Sequence, residues 1–456
     1  MTDNLDLLTS HKHSKVRGML HSFLESQTSG GLVLLICTVI ALVVANVPAL
    51  QHLQELWHVE AGISIGNFKI EMSVMHWIND ALMAVFLFVV GLEIKREMLV
   101  GELSSVKKAT LPIFAALGGM LVPAAIYAIF NHGTPTSNGW GIPMATDIAF
   151  AVGVISILGK RCPSALKIFL LALAIVDDLG AIIVLALFYP SHELNFVFMG
   201  LALVVFLILI LFNKMKVNSP YVYMMFGLVL WYFVFRSGIH ATIAGVLLAI
   251  TIPSKTTINE VRFFVKVKHL LEKFKENGNS EVEVLANPKQ MEVIHDINEE
   301  VDAINPLMHR FESALHPISH FLIIPLFALA NAGVTLDGSI LQMSPMPAVV
   351  PGIFFGLLLG KPIGITLFSY ISVKTKLAEL PGGVPWKQIF AIGMVAGIGF
   401  TMSIFVDNLA FSDPVYLNMG KAAILVTSFV SAICGMLAVL LTTKKVPSTA
   451  QKKIKK

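Results

Sequence analysis

The chain has 456 residues, of which 55% are hydrophobic and 14% charged, and its formal net charge is +4. Its mean hydropathy is +0.77, and it holds little more than half of the roughly 25% charged residues usual in soluble domains, which excludes an ordinary soluble protein. The net charge is too small to signal a nucleic-acid partner, and what matters is where Lys and Arg lie along the chain.

Residues 1–30 read as a polar cytoplasmic segment. Met1 to Gln27 holds no short apolar core followed by a small-residue cleavage site, so the first span is expected to act as its own insertion signal. Apolar runs then fall at about 31–50, 76–98, 110–130, 141–159, 164–189, 195–213, 220–236, 239–252, 314–334, 346–372, 388–410 and 416–442. Each is read as a helix, because a helix satisfies its own backbone in lipid. Together they predict an all-α polytopic membrane protein with about twelve transmembrane helices. Basic and basic-poor connections alternate. Lys12, Lys15 and Arg17 precede the first span, and Arg96, Lys107 and Lys108 follow the second. Lys160, Arg161 and Lys167 follow the fourth, Lys214 and Lys216 the sixth, and Lys374, Lys376 and Lys387 the tenth, whereas 131–140 and 190–194 carry no Lys or Arg. The positive-inside rule puts both termini in the cytoplasm. Residues 31–442 are thus one transmembrane domain, with a long cytoplasmic connection at 253–313, and 443–456 form a basic cytoplasmic tail.

Two connections carry structure of their own. Ile63-Ser64-Ile65-Gly66-Asn67-Phe68-Lys69-Ile70 alternates about a Gly-Asn pair, a hairpin pattern on the outer face. An isolated hairpin is marginal, which suggests pairing with a second protomer. In 253–313, Phe264, Val267, Leu271 and Phe274 share one helical face among Lys266, Lys268, Lys273 and Lys275, the pattern of a surface helix on the inner leaflet. Asn277-Gly278-Asn279-Ser280 ends it, and a second periodic set, Ile297, Val301, Ile304, Met308 and Phe311, leads into span nine. Cys37, Cys162 and Cys434 form neither a CxxC motif nor a disulfide framework and read as inert thiols in apolar surroundings.

Two spans are interrupted. Span four contains Gly141-Ile142-Pro143-Met144-Ala145-Thr146-Asp147-Ile148, with Thr and Asp at mid-depth, and span eleven contains Gly393 and then Gly397-Ile398-Gly399-Phe400-Thr401-Met402-Ser403. Irregular backbone is tolerated in a membrane where it lines a cavity, and interrupted spans at corresponding places in two halves point to a transporter site. Span three holds Pro112, Gly118 and Pro123; span ten holds Pro351, Gly360 and Pro362, with the same proline spacing. Each is followed by an interrupted span and then a long apolar one, and the two groups start on opposite sides. Spans 3-5 and 10-12 are therefore expected to form an inverted repeat.

The ionisable residues at membrane depth are Asp147, the adjacent Asp177-Asp178 and Lys361, with Asp80 and Asp407 toward the outer ends of spans two and eleven. A carboxylate at the centre of a span costs about 2.5–3.5 kcal/mol on insertion scales, so two in succession argue for binding of a cation or proton. Neighbours in a helix stand about 100° apart; one of the pair faces the site and the other a neighbouring charge, and the sequence leaves open which. Lys361, between Gly360 and Pro362, reads as the only buried cation and the natural counter-ion. Oxygen ligands suit hard cations such as sodium, and Asp147, Thr146 and one of Asp177 and Asp178 offer them. A carboxylate taken out of water holds its proton more tightly, and competition between proton and sodium for it gives obligatory exchange. Asp147 and Lys361 are also suited to balance the dipoles at broken helix ends.

At these residues the chain resembles the NhaA family of bacterial sodium/proton antiporters. The resemblance runs from span one to span twelve. It is carried by Trp77-Ile78-Asn79-Asp80-Ala81-Leu82-Met83-Ala84-Val85, Val90-Gly91-Leu92-Glu93-Ile94-Lys95-Arg96-Glu97, Ala145-Thr146-Asp147-Ile148-Ala149-Phe150, Ala174-Ile175-Val176-Asp177-Asp178-Leu179-Gly180-Ala181 and Gly397-Ile398-Gly399-Phe400-Thr401-Met402-Ser403. It implies that Asp177 and Asp178 hold the cation and proton, served by Thr146 and Asp147. It also implies that Gly397, Gly399 and Thr401 belong to the second break and that Lys361 is the family's membrane-buried lysine. It further implies electrogenic exchange of Na+ or Li+ for H+ without a cofactor, regulation of cytoplasmic pH and sodium, activation at alkaline pH and a place in the bacterial inner membrane. A homodimer through the outer hairpin near 59–72 is implied as well. Glu93, Lys95, Arg96, Glu97, Glu312, His316 and His240 match positions tied to pH response. The chain departs from the family where a His can follow the loop glutamate and Ser313 stands here, and in the length of 253–313.

An intramembrane aspartyl protease is the alternative from another class, since Asp147 and Asp177 lie on different spans and paired carboxylates can share a proton. The adjacent pair and Lys361 have no obvious role in cleaving a peptide, so the chain is read as a transporter and not an enzyme. A cation channel would need a repeated filter segment, and none is present.

Overall fold

The computed structural model describes residues 27–65, 68–190, 193–278, 283–335 and 347–443. Helix α1 spans Gln27–Asn46 and leads through a 3-10 segment, Pro48–His58, to strands β1 (Glu60–Ile65) and β2 (Phe68–Ser73). Helix α2 covers Val74–Val100, α3 Val106–Asn131, α4 Ile148–Ile157, α5 Ser164–Phe188 and α6 Phe196–Lys214. Then come α7 (Pro220–Ser237), α8 (Ile243–Thr251), α9 (Glu260–Glu276) and α10 (Pro288–Ile304). Helix α11 covers Leu307–Asn331, α12 Val349–Lys374, α13 Trp386–Ala396, α14 Phe400–Ala410 and α15 Pro414–Thr442.

Among the described residues, nine helices are long and apolar enough to cross a membrane, or ten if the bent pair α13 and α14 is one span. The two further runs expected to cross are α7, of 18 residues, and α8, of 9. At about 1.5 Å per residue, α8 covers less than half of a ~30 Å hydrocarbon core. Every apolar run of the sequence thus contains helix; α7 has the length of a span, whereas α8 alone does not.

The chain divides into two compact units: the described parts of Met1–Met83, Arg96–Tyr189 and Pro317–Lys456, and those of Ala84–Lys95 and Pro190–His316. In the first unit, α3 crosses α12 with glycine against glycine. A Cβ on Gly118 would stand 2.7 Å from the Gly364 carbonyl carbon and 2.7 Å from Phe368 Cβ, so no larger residue fits without moving backbone. The expected repeat has its counterparts in contact: α3 packs on α12, and the break before α4 meets the break between α13 and α14. In the window of α5 that would cross the membrane, 61% of residues are buried within the protein, against 17% for α6. Two helices of similar mean hydropathy thus differ in use, one serving as core and one largely exposed.

Three helices of this unit contain a wide π turn: Trp77–Leu82 in α2, Ser319–Ile323 in α11 and Gly356–Gly360 in α12. In α11 and α12 a proline, Pro325 or Pro362, follows within two residues. Proline has no N–H to give and its ring crowds the preceding turn, which the wider turn accommodates. The predicted hairpin is present, antiparallel, with register from Glu60↔Ser73 to Ile65↔Phe68; Gly66 and Asn67 lie outside the described residues. The Trp77 indole N–H donates to the Ala61 carbonyl at 2.7 Å and ties the hairpin to the start of α2.

The core of the second unit gathers Phe88, Leu92, Leu209, Tyr223, Leu248 and Phe311, with the Phe88 and Phe311 rings edge to face at 5.5 Å. Helices α9 and α10 lie antiparallel, held by the Lys266–Glu300 ion pair and by Gln290 Nε2 donating to the Phe274 carbonyl at 3.2 Å. The single apolar face expected on α9 is divided: Val267 and Phe274 are half-buried, while Phe264 and Leu271 are exposed. Partnering with α10 takes one half of the stripe. Asn279 and Ser280, expected to end this helix, lie outside the described residues. Helix α11 begins at Leu307, several residues before the apolar run, so Glu312 sits within a helix rather than in the connection.

Candidate functional site

The centre of the first unit is a crossing of two broken spans. Before α4 the backbone opens at Ala145 (φ −76°, ψ 147°) and Asp147 (φ −83°, ψ 101°). Between α13 and α14 it opens at Gly397-Ile398-Gly399, with a bend of 52°. The two openings bond to each other: the Asp147 N–H donates to the Ile398 carbonyl at 2.8 Å, and the Thr146 hydroxyl lies 2.9 Å from the Ala396 carbonyl oxygen. Backbone groups freed from helical bonding are thereby satisfied by the opposite break, the condition for leaving regular structure inside a membrane.

Helix α5 brings Asp177 and Asp178 to this crossing, both almost fully buried. The Lys361 ammonium, on α12 directly after its π turn, is 1% exposed. It donates to Asp177 Oδ2 at 2.5 Å, to Thr146 Oγ1 at 2.9 Å and to the Met144 carbonyl. The Thr146 hydroxyl is itself 2.7 Å from Asp177 Oδ2. Thr146, Asp177 and Lys361 thus form one buried cluster, and of the two adjacent aspartates it is Asp177 that pairs with Lys361. No hydrogen bond is accepted by Asp177 Oδ1 from the described residues.

Asp147 joins two helix starts. Its Oδ1 accepts the Phe150 N–H at 2.9 Å, capping α4, and its Oδ2 accepts the Thr401 N–H at 3.1 Å and the Thr401 hydroxyl, capping α14. A negative group stands between two positive helix ends, while Lys361 reaches the carbonyl that ends the 3-10 segment Ser137–Met144. The two residues read from sequence as balancing broken helix ends thus lie at such ends. Asp147 and Asp177 exchange no hydrogen bond and each is held by other donors, unlike the shared-proton dyad a protease would need.

One expectation is corrected. Lys361 is not the only buried cation, because Lys421 on α15 is only 6% exposed. In the sequence it stands alone near the start of span twelve. Asp407, recognised at membrane depth, is fully buried. The Met144, Ala396 and Ile398 carbonyls were also missed, since a backbone acceptor leaves no mark in residue type.

The residues matched to pH response fall in several settings. In the second unit Lys95 donates to the Ala249, Ile250 and Ile252 carbonyls at 3.3, 2.7 and 2.5 Å and so closes the end of α8. His316 Nε2 stands 3.8 Å from Glu93 Oε1. Glu312 is buried, and buried His240 has Nδ1 2.8 Å from the Thr242 hydroxyl. In the first unit Arg96 pairs with Glu97 at 3.4 Å.

Comparison with known proteins agrees with this arrangement. The family described as Na+/H+ antiporter 1 matches residues 21–439. The Na(+)/H(+) antiporter NhaA of Helicobacter pylori (strain G27) is 46% identical over 428 residues, 93% of this chain and 96% of the relative. That of Wolinella succinogenes is 44% identical over 435 residues, covering 95% of each chain, and Na(+)/H(+) antiporter NhaA 2 of Helicobacter hepaticus is 43% identical over 435 residues, 95% of this chain and 97% of the relative. A match of this extent, over the helices that build the crossing, makes the chain a member of the Na+/H+ antiporter 1 family, an integral membrane protein of the secondary-transporter class.

Proposed function

We propose that the chain expels sodium, or lithium, across the bacterial inner membrane in exchange for protons, and so regulates cytoplasmic pH and sodium. The observation that carries this reading is the Lys361–Asp177–Thr146 cluster set where two broken helices cross. A cation arriving at the Asp177-Asp178 carboxylates competes with the Lys361 ammonium for Asp177 and with protons for both carboxylates. Binding of sodium releases Lys361 and expels protons; return of protons expels sodium. Two adjacent carboxylates give the site a capacity for more than one proton per sodium, the condition for electrogenic exchange. Thr146 and Asp147 serve the same cation and proton site, and Asp147 with the breaks around Gly397 and Gly399 also holds the crossing open. The transported ions are Na+, Li+ and H+, and no cofactor enters the cycle.

Both termini are cytoplasmic in this reading, surrounding lipid is the one obligatory partner, and the 59–72 hairpin pairs two protomers. Activation at alkaline pH is assigned to Glu93, Lys95, Arg96, Glu97, Glu312, His316 and His240, among which the His316 imidazole faces the Glu93 carboxylate.

The test is sodium-dependent dissipation of a proton gradient in everted membrane vesicles. Sodium is expected to collapse the gradient with the wild type, and Asp178→Asn to abolish the response while still inserting. Normal turnover by that variant would overturn the assignment of the pair.

A further inference from the structure

A second acid–base pair lies outside the cluster already described. Asp407 is fully buried on α14, six residues beyond Thr401 and thus ~9 Å further along the helix axis. Its carboxylate rests on the backbone of α15 at Gly420, where any Cβ would overlap Oδ1. Neither carboxylate oxygen accepts a hydrogen bond from the described residues. Lys421, the residue of α15 that follows Gly420, is a buried cation. A carboxylate that serves only architecture is normally saturated with hydrogen bonds, because a bare one loses its hydration without replacement. Asp407 therefore rests one residue away from a buried cation and is left open to further ligands.

Lys421 also borders a cavity of about 510 Å³, whose wall includes Trp57, His58, Gly333, Pro414 and Asn418. The next residue of α14, Asn408, begins a line of carboxamides. Asn408 Nδ2 donates to Asn331 Oδ1 at 2.8 Å, and Asn331 Nδ2 donates to Asn79 Oδ1 at 2.8 Å. Polar side chains at membrane depth are costly and mark ion routes. Here Lys421 borders the cavity, while Asp407 and Asn408 stand on the helix whose first turn is bonded to Asp147.

We propose that Asp407 and Lys421 form a second cation site on the outer side of the Asp177–Lys361 cluster. Asp407 attracts the transported cation, and Lys421 neutralises the carboxylate between passages, so that one positive charge replaces another and the buried acid is never left bare. The inference rests on the sodium/proton antiport reading and on cytoplasmic termini.

The experiment uses the full chain in proteoliposomes sorted by orientation, with sodium titrated from either face and proton flux read by a trapped pH dye. With Asp407→Asn, the half-saturating sodium concentration on the outer face is expected to rise about tenfold, and on the inner face by less than twofold. With Lys421→Met, the outer value is expected to fall, since its competitor for Asp407 is gone. A purely structural pair would lower yield and turnover in both variants and leave the two faces alike. Unchanged outer half-saturation in Asp407→Asn, or a shift of the same sign in both variants, overturns the proposal. If only one variant inserts, its own predicted shift decides; failure of both to insert assigns the pair to architecture and overturns it too. Absence of exchange in the wild type would instead remove the antiport reading itself.

Discussion

Asp147 and Thr401 join the two broken spans: one carboxylate caps α4 through the Phe150 N–H and caps α14 through the Thr401 N–H and hydroxyl. A capping side chain normally serves one helix. Here the two helix starts converge, and their positive ends are neutralised together.

Replacing Asp147 by Ala therefore removes two caps at once. With each cap worth about 1 kcal/mol, a loss of ~2 kcal/mol is expected, against about half of that for Asp147→Asn, which keeps one acceptor oxygen. Thr401→Val, which loses the hydroxyl and keeps the N–H, should cost less than Asp147→Ala. Thermal unfolding in detergent measures all three, and an Ala variant as stable as the wild type would contradict the double cap.

Lys361 and Asp177 are coupled. Breaking a buried pair by removing one partner costs about 3–5 kcal/mol, because the other charge stays buried. Lys361→Met and Asp177→Asn are each expected to lower the unfolding temperature, and the double variant to be more stable than the sum of the two losses allows. Simple additivity in this cycle would mean that the pair is not closed in the protein studied.

Gly118 and Gly364 set the approach of α3 to α12. Gly118→Val or Gly364→Val drives a side chain into backbone, and overpacking of this kind costs about 1–3 kcal/mol. Lower yield and a lower unfolding temperature are expected, together with loss of exchange, because α12 carries Lys361. Wild-type stability in both variants would show that the helices do not meet there.

Lys95 closes α8 through three carbonyl groups. With Lys95→Met these acceptors lose a charged donor, typically worth about 1.5–3 kcal/mol for such bonds. Amide hydrogen exchange in 243–252 is expected to quicken at least tenfold while exchange in α5 stays as it was. Equal protection in both segments would place the role of Lys95 elsewhere.

The sequence by itself determined which segments are apolar, because transfer into lipid is decided largely residue by residue. Its breaks were visible at Pro143 and at Gly397-Ile398-Gly399, and its hairpin in the alternation of 63–70. It also singled out Thr146, Asp147, Asp177, Asp178 and Lys361, since charge in an apolar run is costly wherever that run packs. Other features depend on groups distant in the chain. Which aspartate meets Lys361 follows from the rotation of α5 against α12, which neighbouring residues 100° apart leave undetermined. That Asp147 caps two helices follows from the meeting of two breaks some 250 residues apart in sequence. That Lys421 is buried beside Asp407 follows from the packing of α15 on α14 at Gly420, where the absence of a side chain admits a carboxylate. Apolarity and spacing are properties of a segment; pairing is a property of surfaces brought together, and tertiary structure alone decides it.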